Sequence, residues 1–486
     1  MSEIKLLSVA SEIYPLVKTG GLADVVGTLP GALAPEGVTV RTLVPGYPSV
    51  VGALQQAERV RHWDTLFGGP ADLMFGTARG LDVFALIAPH LFARPGNPYV
   101  RPDGTDWPDN AQRFAALCQA GADIGRGSVG AFVPDLVQVH DWQAALVPAY
   151  LHYAGGPRPG TIVTVHNLAY QGQFPPALLA TLGLPPRAYT IDGVEFFGKI
   201  SFLKAALRLA DRITTVSPTY AVEIMGPDAG AGLDGLLRER ADIVSGIVNG
   251  IDVDVWNPGT DSHIPAQYDA RRLALRARNK AALQERMDLA VDPDALLCAV
   301  VSRLSWQKGL DLLLAALPRA LTYGSQLALV GSGDAELEQE FTLAAETHPG
   351  RVGCVLGYDE ELAHLFQAGA DVIMVPSRYE PCGLTQLYAQ RYGAIPLVAR
   401  VGGLADTVID AGEMALAARV ATGIQFAPVD QRMLEAAIRR AATLFADKPA
   451  WTRMQRNGMK ADVSWRNPAR HYASLYRGLL AERTGR

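Results

Sequence analysis

Short runs of consecutive apolar residues punctuate the chain at regular intervals. In the first half they fall at residues 4–10, 38–44, 81–87, 136–139, 161–165 and 212–216. Stretches with helical spacing, such as 22–33, separate most of them. A parallel strand covered on both faces reads as such a continuous run, so the alternation predicts a doubly wound α/β unit. Residues 97–109, rich in Pro, Gly and Asp, break the rhythm and predict a surface loop near the strand ends. A second series begins later, with candidate strands at 296–301, 326–330, 351–355, 371–375 and 395–398. Between the two series, Asn249-Gly250-Ile251-Asp252 and Asn257-Pro258-Gly259 open a polar stretch that reads as a hinge or linker running to Tyr268. Residues 271–287 read as a charged, solvated helix, and the tail at 468–480 as a helix packed on one domain.

The expected fold is therefore α/β, with two Rossmann-like doubly wound parallel-sheet domains at residues 1–252 and 253–464. A C-terminal helix at about 465–486 packs back on the first. Length agrees, since 486 residues exceed what one hydrophobic core supports. The formal net charge of -5 gives no basic footprint for nucleic acid or an anionic membrane. The four cysteines lie far apart without a CxxC pair, which argues against a zinc site or a disulfide framework. The opening MSEIKLLSVASEIYP has too short an apolar run for a signal peptide, and no apolar stretch is long enough to span a membrane. These features predict a soluble, cytoplasmic protein.

Ligands of open α/β sheets bind beyond the carboxyl ends of the strands, so the residues that follow each candidate strand carry the chemistry. Lys18-Thr19-Gly20-Gly21 comes after the first. It pairs a cation with a glycine turn at a helix start, a place that suits an anion, although two glycines also serve simply to shape a turn. The order differs from a Walker loop. His140-Asp141-Trp142 and His166-Asn167-Leu168-Ala169-Tyr170-Gln171-Gly172 follow two further strands. Polar groups beside aromatics suit a sugar, which offers both hydroxyls and apolar faces. Metal ligation is the weaker reading of these histidines, because no HExxH-like spacing accompanies them.

In the second half, Arg303 and Lys308 follow a strand and can face one anionic group. Fixed cations at a departing diphosphate lower the barrier to its release. The GxG at Gly331-Ser332-Gly333 reads as close backbone packing. Pro376 to Gln386 combines the carboxylate of Glu380 with a Pro-Cys-Gly turn and a helix start that frees backbone N–H donors. Cys382 reads as a packing thiol, and Asp252-Val253-Asp254 as turn chemistry rather than a metal-binding DxD.

Taken together, KTGGLADV, HDWQA, TVHNLAYQG, SRLSWQKGLD and EPCGLTQLYAQRYG, in this order, resemble glycosyltransferase family 5, the bacterial glycogen and plant starch synthases. The resemblance covers nearly the whole chain. It implies a GT-B fold with the active site in an interdomain cleft, the first domain on the acceptor side and the second holding the nucleotide sugar. It further implies ADP-glucose as donor, an α-1,4-glucan as acceptor, retention at the anomeric carbon, and neither metal nor organic cofactor. By motif position, Lys18, Gly20 and Gly21 are donor phosphate contacts, and Arg303 and Lys308 the leaving-group cations. His166 and Asp141 lie beside the reacting glucose, Glu380 is the sugar-side carboxylate, and Gly383, Leu384 and Thr385 present backbone donors. Asn249 and Tyr358 match donor-site positions, with Tyr358 placed to stack on the base. One departure is Tyr388, which stands where related retaining enzymes often carry a second glutamate and leaves the ribose contact unassigned. The absence of a transit-like extension before Lys5 favours a bacterial glycogen synthase. A UDP-glucose enzyme, a maltose 1-phosphate synthase and a non-catalytic glucan-binding protein are the alternatives, and a phosphorylase is disfavoured for want of a pyridoxal phosphate lysine motif.

Overall fold

A computed structural model describes residues 3–357 and 359–485. The chain divides into two compact units, one formed by the residues up to Asn249 together with those from Trp465 onward, the other by Gly250–Ser464.

In the first unit the strands are β1 (Ile4–Val9), β2 (Val38–Pro45), β3 (Gln55–Leu66), β4 (Gly69–Ala78), β5 (Leu81–Ile87), β6 (Leu136–His140), β7 (Gly160–Val165), β8 (Gln173–Phe174), β9 (Glu195–Phe196), β10 (Lys199–Ser201), β11 (Arg212–Thr215) and β12 (Val244–Gly246). Nine of them form one sheet in the order β12-β11-β7-β6-β1-β2-β5-β4-β3. The run from β12 to β5 is parallel, in register Ile4↔Val38 between β1 and β2 and Leu6↔Leu136 between β1 and β6. Leu7, Val9, Leu43, Val137, Val139 and Val163 are fully buried, because helices cover both sheet faces. The terminal helix Arg466–Thr484 supplies part of that cover, placing Tyr472, Tyr476 and Leu479 against Leu6, Leu136 and Ile162.

Two features depart from the expected all-parallel sheet. β3 and β4 form an antiparallel extension beyond β5, joined through register shifts that mark bulges. The connection from β7 to the helix Phe202–Leu209 also folds into a small antiparallel sheet of order β8-β10-β9. The segment at 97–109 is irregular as expected, but Tyr99 within it is partly buried.

The second unit contains β13 (Leu296–Val301), β14 (Ser325–Gly331), β15 (Val352–Leu356), β16 (Val372–Val375), β17 (Ile395–Ala399) and β18 (Ile424–Phe426), all parallel, in the order β15-β14-β13-β16-β17-β18. Two sequence expectations fail here. The polar stretch up to Tyr268 is no free linker, since Asp261 and Tyr268 are buried. Asp261 Oδ2 accepts from Tyr392 Oη at 2.6 Å and lies 2.8 Å from His364 Nδ1, while Tyr268 Oη donates to the Tyr392 carbonyl at 2.7 Å. The charged helix, which spans Arg276–Arg286, is not solvated on its inner face, where Arg276, Asn279, Lys280 and Gln284 are buried. Arg276 donates to the carbonyls of Gln367, Ala370 and Tyr392. Lys280 Nζ pairs with Asp371 at 2.7 Å and donates to the carbonyls of Pro293 and Ala295. A charged group can be buried once its donors are all used in this way.

Candidate functional site

Strand order places the chemistry. In the first unit the sequence of strands runs outward from β1 to β2 and β5 on one side, then resumes with β6 and β7 on the other. In the second unit it runs from β13 to β14 and β15, then resumes with β16 on the opposite side. Each reversal opens a crevice beyond the carboxyl ends of the two strands that flank it. The flanking strands are β1 and β6 in one unit, β13 and β16 in the other. The predicted residues follow these same four strands: Lys18, Gly20 and Gly21 after β1, Asp141 after β6, Arg303 and Lys308 after β13, and Glu380 to Thr385 after β16. His166 follows β7, next to β6.

In the first unit, His140 Nδ1 and His166 Nε2 share a hydrogen bond of 3.0 Å, and Ser8 Oγ lies 3.2 Å from His140 Nε2. Burial holds both imidazoles neutral, pushing His166 down to about 3 and His140 well below the usual histidine range, with His166 adding to the effect on His140. Asp141 opens the turn after β6 with φ of 54°, a left-handed conformation that Asp tolerates better than most residues. That turn lets its Oδ1 accept from the His166 amide at 2.6 Å, tying the ends of β6 and β7 together. Burial raises the Asp141 carboxyl to about 7, only partly offset by the His166 and Asn167 amides, and the nearby charge of Glu12 adds to the rise. Near neutral pH the two imidazoles are therefore uncharged and Asp141 is about half ionised.

The loop after β1 is held by a residue that motif reasoning passed over. Glu12, itself buried, accepts from the Thr19 amide, from Thr19 Oγ1 at 2.6 Å and from Tyr99 Oη. Tyr99 reaches in from the segment expected to be a surface loop, and Ser11 Oγ lies 2.8 Å from its hydroxyl. A carboxylate directly after the first strand was the available signal in the sequence. Lys18 Nζ pairs with Asp24 at 2.9 Å. Gly20 is extended, with φ of -161°, and a Cβ there would meet nothing within 4 Å. Neither backbone geometry nor packing within the chain demands glycine at this position. Asn249 is buried, and its Oδ1 has no hydrogen-bond partner among the described residues.

In the second unit, Lys308 Nζ lies 2.6 Å from Glu380 Oε2, which also accepts from Ser377 Oγ at 2.8 Å. Glu380 is buried, whereas Arg303 is exposed and its guanidinium has no partner among the described residues. Gly309 closes the turn that carries Lys308. Its φ is 67° and a Cβ would fall 2.1 Å from the Pro376 carbonyl, so the ends of β13 and β16 touch only because the residue is glycine. The GxG pair does the same on the other flank, where Cβ atoms on Gly331 and Gly333 would strike the carbonyls of Ser302 and Leu304. Gln386 Nε2 donates to the Cys382 and Gly383 carbonyls at 3.0 and 2.9 Å, shaping the turn before the helix Thr385–Tyr392. No side chain caps that helix, whose first amides lack intrahelical acceptors.

Of the remaining expectations, Tyr358 lies outside the described residues. Tyr388 stacks on Trp256 with ring centroids 3.8 Å apart, and the other stacked neighbour of that indole is His364 at 3.9 Å. Cys382 is buried. Asp252 Oδ1 accepts from the amides of Asp254 and Val255 at 3.0 and 3.1 Å, an Asx turn. Among the described residues no group of three or more His, Cys, Asp or Glu is placed to hold a metal ion, and no helix is long and apolar enough to cross a membrane.

Known proteins share the fold and much of the sequence. Residues 5–239 match the starch synthase catalytic domain family, and residues 283–460 match glycosyl transferases group 1. The catalytic domain of starch synthase IV from Arabidopsis thaliana, bound to ADP and acarbose, superposes with a TM-score of 0.87 at 32% identity, covering 99% of this chain and 100% of that one. A sucrose-phosphate synthase from Thermosynechococcus elongatus, at 21% identity and a TM-score of 0.62, shares the fold. Two parallel-sheet units with these matches define a glycosyltransferase of the GT-B type. The glycogen synthase of Rhodopseudomonas palustris strain BisB18 is 63% identical over 486 residues, 100% of this chain and 99% of its own length. That of Methylocella silvestris is 60% identical over 483 residues, 99% of this chain and 100% of its own length. The chain belongs to the glycogen and starch synthase family.

Proposed function

We propose that this chain transfers glucose from ADP-glucose to the non-reducing end of an α-1,4-glucan, with retention at the anomeric carbon. The observation that carries the proposal is the strand-order reversal in each unit, because the candidate groups follow the strands that flank it. Support for the donor and acceptor comes from the relatives: glycogen synthases by name, and a starch synthase domain bound to ADP and acarbose. The first unit takes the acceptor and lends Lys18, Gly20 and Gly21 to the donor phosphates, and the second takes the nucleotide sugar.

In this reading Arg303 and Lys308 neutralise the charge that builds on the ADP as the bond from C1 to the phosphate oxygen breaks. Glu380, held by Lys308 and Ser377, accepts from a glucose hydroxyl, while the amides of Gly383, Leu384 and Thr385 donate to the sugar and phosphates. Lys18 and the open backbone at Gly20 and Gly21 approach the phosphates, and the unpaired Asn249 Oδ1 accepts from the donor. His166 and Asp141 line the reacting glucose. The acceptor hydroxyl attacks C1 from the face that ADP leaves, and its proton passes to the departing phosphate oxygen. No covalent glycosyl-enzyme forms, so no trapped adduct is expected on Asp141 or Glu380. The four cysteines lie far apart without a CxxC pair, which fits a reducing compartment, and we place the activity in the cytoplasm.

A donor-choice assay tests this. Pure protein is incubated with radiolabelled ADP-glucose or UDP-glucose, and with glycogen or glucose 1-phosphate as acceptor. Label entering glycogen from ADP-glucose is the expected result. Transfer from UDP-glucose alone, or maltose 1-phosphate as the product, would overturn it.

A further inference from the structure

The connection from β7 to the helix Phe202–Leu209 starts at His166 and carries a projecting hairpin whose tip no role above explains. β9 and β10 pair as Phe196↔Lys199 and Ile200↔Glu195, leaving Phe197-Gly198 as a two-residue turn. Both turn residues have positive φ, 47° and 77°. Turns with this pair of signs favour Asn-Gly, since a bulky side chain in the left-handed region is strained. Here the position holds phenylalanine, and 81% of its surface faces solvent. The ring meets Phe196 edge-on at 4.7 Å, and one edge borders Gly232, where an added Cβ would fall 3.2 Å from Cε2. Most of the ring nonetheless faces solvent above a left-handed backbone.

The hairpin stands on a firm base next to the candidate site. Trp142, the neighbour of Asp141, packs against Phe174 of β8 at 5.8 Å, and Phe174 packs on Phe202 at 4.9 Å. A Cβ on Gly172 would enter the Trp142 ring, and the Phe202 amide donates to the Gly172 carbonyl at 3.0 Å. The same connection displays two more exposed large side chains, Tyr170 at 51% and Ile191 at 80%. Hydrogen-bonding groups accompany them: Lys199 is exposed, and Glu195 accepts from the Gly198 amide at 2.8 Å.

We propose that the Phe197 tip is a docking platform for the acceptor glucan, stacking on the apolar face of a glucosyl unit away from the reacting end. A linear α-glucan offers such a face on every residue, flanked by hydroxyls that Lys199 and Glu195 can meet. The platform rests on the function proposed above, and it extends the acceptor contact from the His166 end of the connection to its far tip.

The test uses the full chain with Phe197→Asn and Phe197→Trp. Asparagine is the residue this turn prefers, so F197N folds at least as stably as the parent, which a melting curve verifies. Retardation in native gels containing glycogen reads binding without any donor. F197N should bind glycogen roughly three- to tenfold more weakly, the loss expected for one aromatic contact, and F197W should retain binding. The KM penalty of F197N should be larger for glycogen than for maltotriose. Equal retardation of F197N and the parent would overturn the platform. So would loss in F197N of a concentration-dependent self-association seen by sedimentation, which would make the tip a contact between copies. Failure of the parent both to bind glycogen and to transfer glucose would instead refute the function on which the platform rests.

Discussion

Asp141 offers the most direct test of the site's electrostatics. Burial places its carboxyl at about 7 in the folded protein against an ordinary 3.8. Between these values the unfolded chain gives up the proton while the folded chain keeps it, so folding loses stability as pH rises from 4 through 7. Each pH unit in that window is worth about 1.4 kcal/mol. Between pH 5 and pH 8 the parent should therefore lose about 2–3 kcal/mol from this one group. In Asp141→Asn the amide oxygen can still accept from the His166 N–H, and nothing ionises. The His140 and His166 rings are depressed and oppose the trend on the acid side, where the unfolded histidines gain protons that the folded ones refuse. They are present in both proteins and cancel in the difference.

Melting temperatures of parent and D141N at pH 5, 6, 7 and 8 give the assay. For domains of this size a kilocalorie shifts the midpoint by about 2–4 °C. The D141N advantage should therefore grow by roughly 5–10 °C between the ends of the series. Two curves that stay parallel across the whole range would refute the claim that Asp141 is poised near neutrality. Transferase activity measured on the same samples should fall in D141N even where the protein is more stable, separating the group's chemical role from its structural cost.

The cations of the second unit should part company in a different way. Arg303→Ala removes an exposed guanidinium with no partner among the described residues, so urea unfolding should change by less than about 0.5 kcal/mol while kcat falls by roughly 10²–10³. Lys308→Ala should cost a similar factor in kcat and also destabilise the protein, because it strips the buried Glu380 of its partner. Matched stability losses in the two variants would argue against the assignment. Gly20→Ala should fold as well as the parent or slightly better, since its backbone is extended and a Cβ meets no neighbour. On the proposed function its KM for ADP-glucose should nonetheless rise several-fold, the methyl group crowding the phosphates assigned to this loop, and an unchanged KM would remove the loop from the donor site.

The parallel strands were legible because each is buried on both faces and leaves an uninterrupted apolar run, as in Leu296–Val301. β3 was not, since its residues are mostly exposed and carry Glu58, Arg59 and Arg61 at the end of the sheet order. The strands of two or three residues in the small sheet are too short for any period to register. The helix Arg276–Arg286 misled for a different reason. Its charge pattern says solvent, yet Arg276 meets carbonyls some 90–116 residues away, and no local window holds them. The candidate site was readable wherever its residues sit directly after a legible strand. Glu12 sits there too, but its role emerges only when Tyr99 arrives from 87 residues downstream.

The two units use one topological device for opposite electrostatic ends. Beyond β6 and β7, burial keeps His140 and His166 uncharged and brings Asp141 to its midpoint near neutral pH, so no fixed cation stands there. Beyond β13 and β16, Arg303 carries a positive charge with no ion-pair partner among the described residues, and Lys308 sits beside a carboxylate. The burial that keeps His166 uncharged has a cost in folding, because the unfolded imidazole binds a proton on the acid side that the folded one refuses.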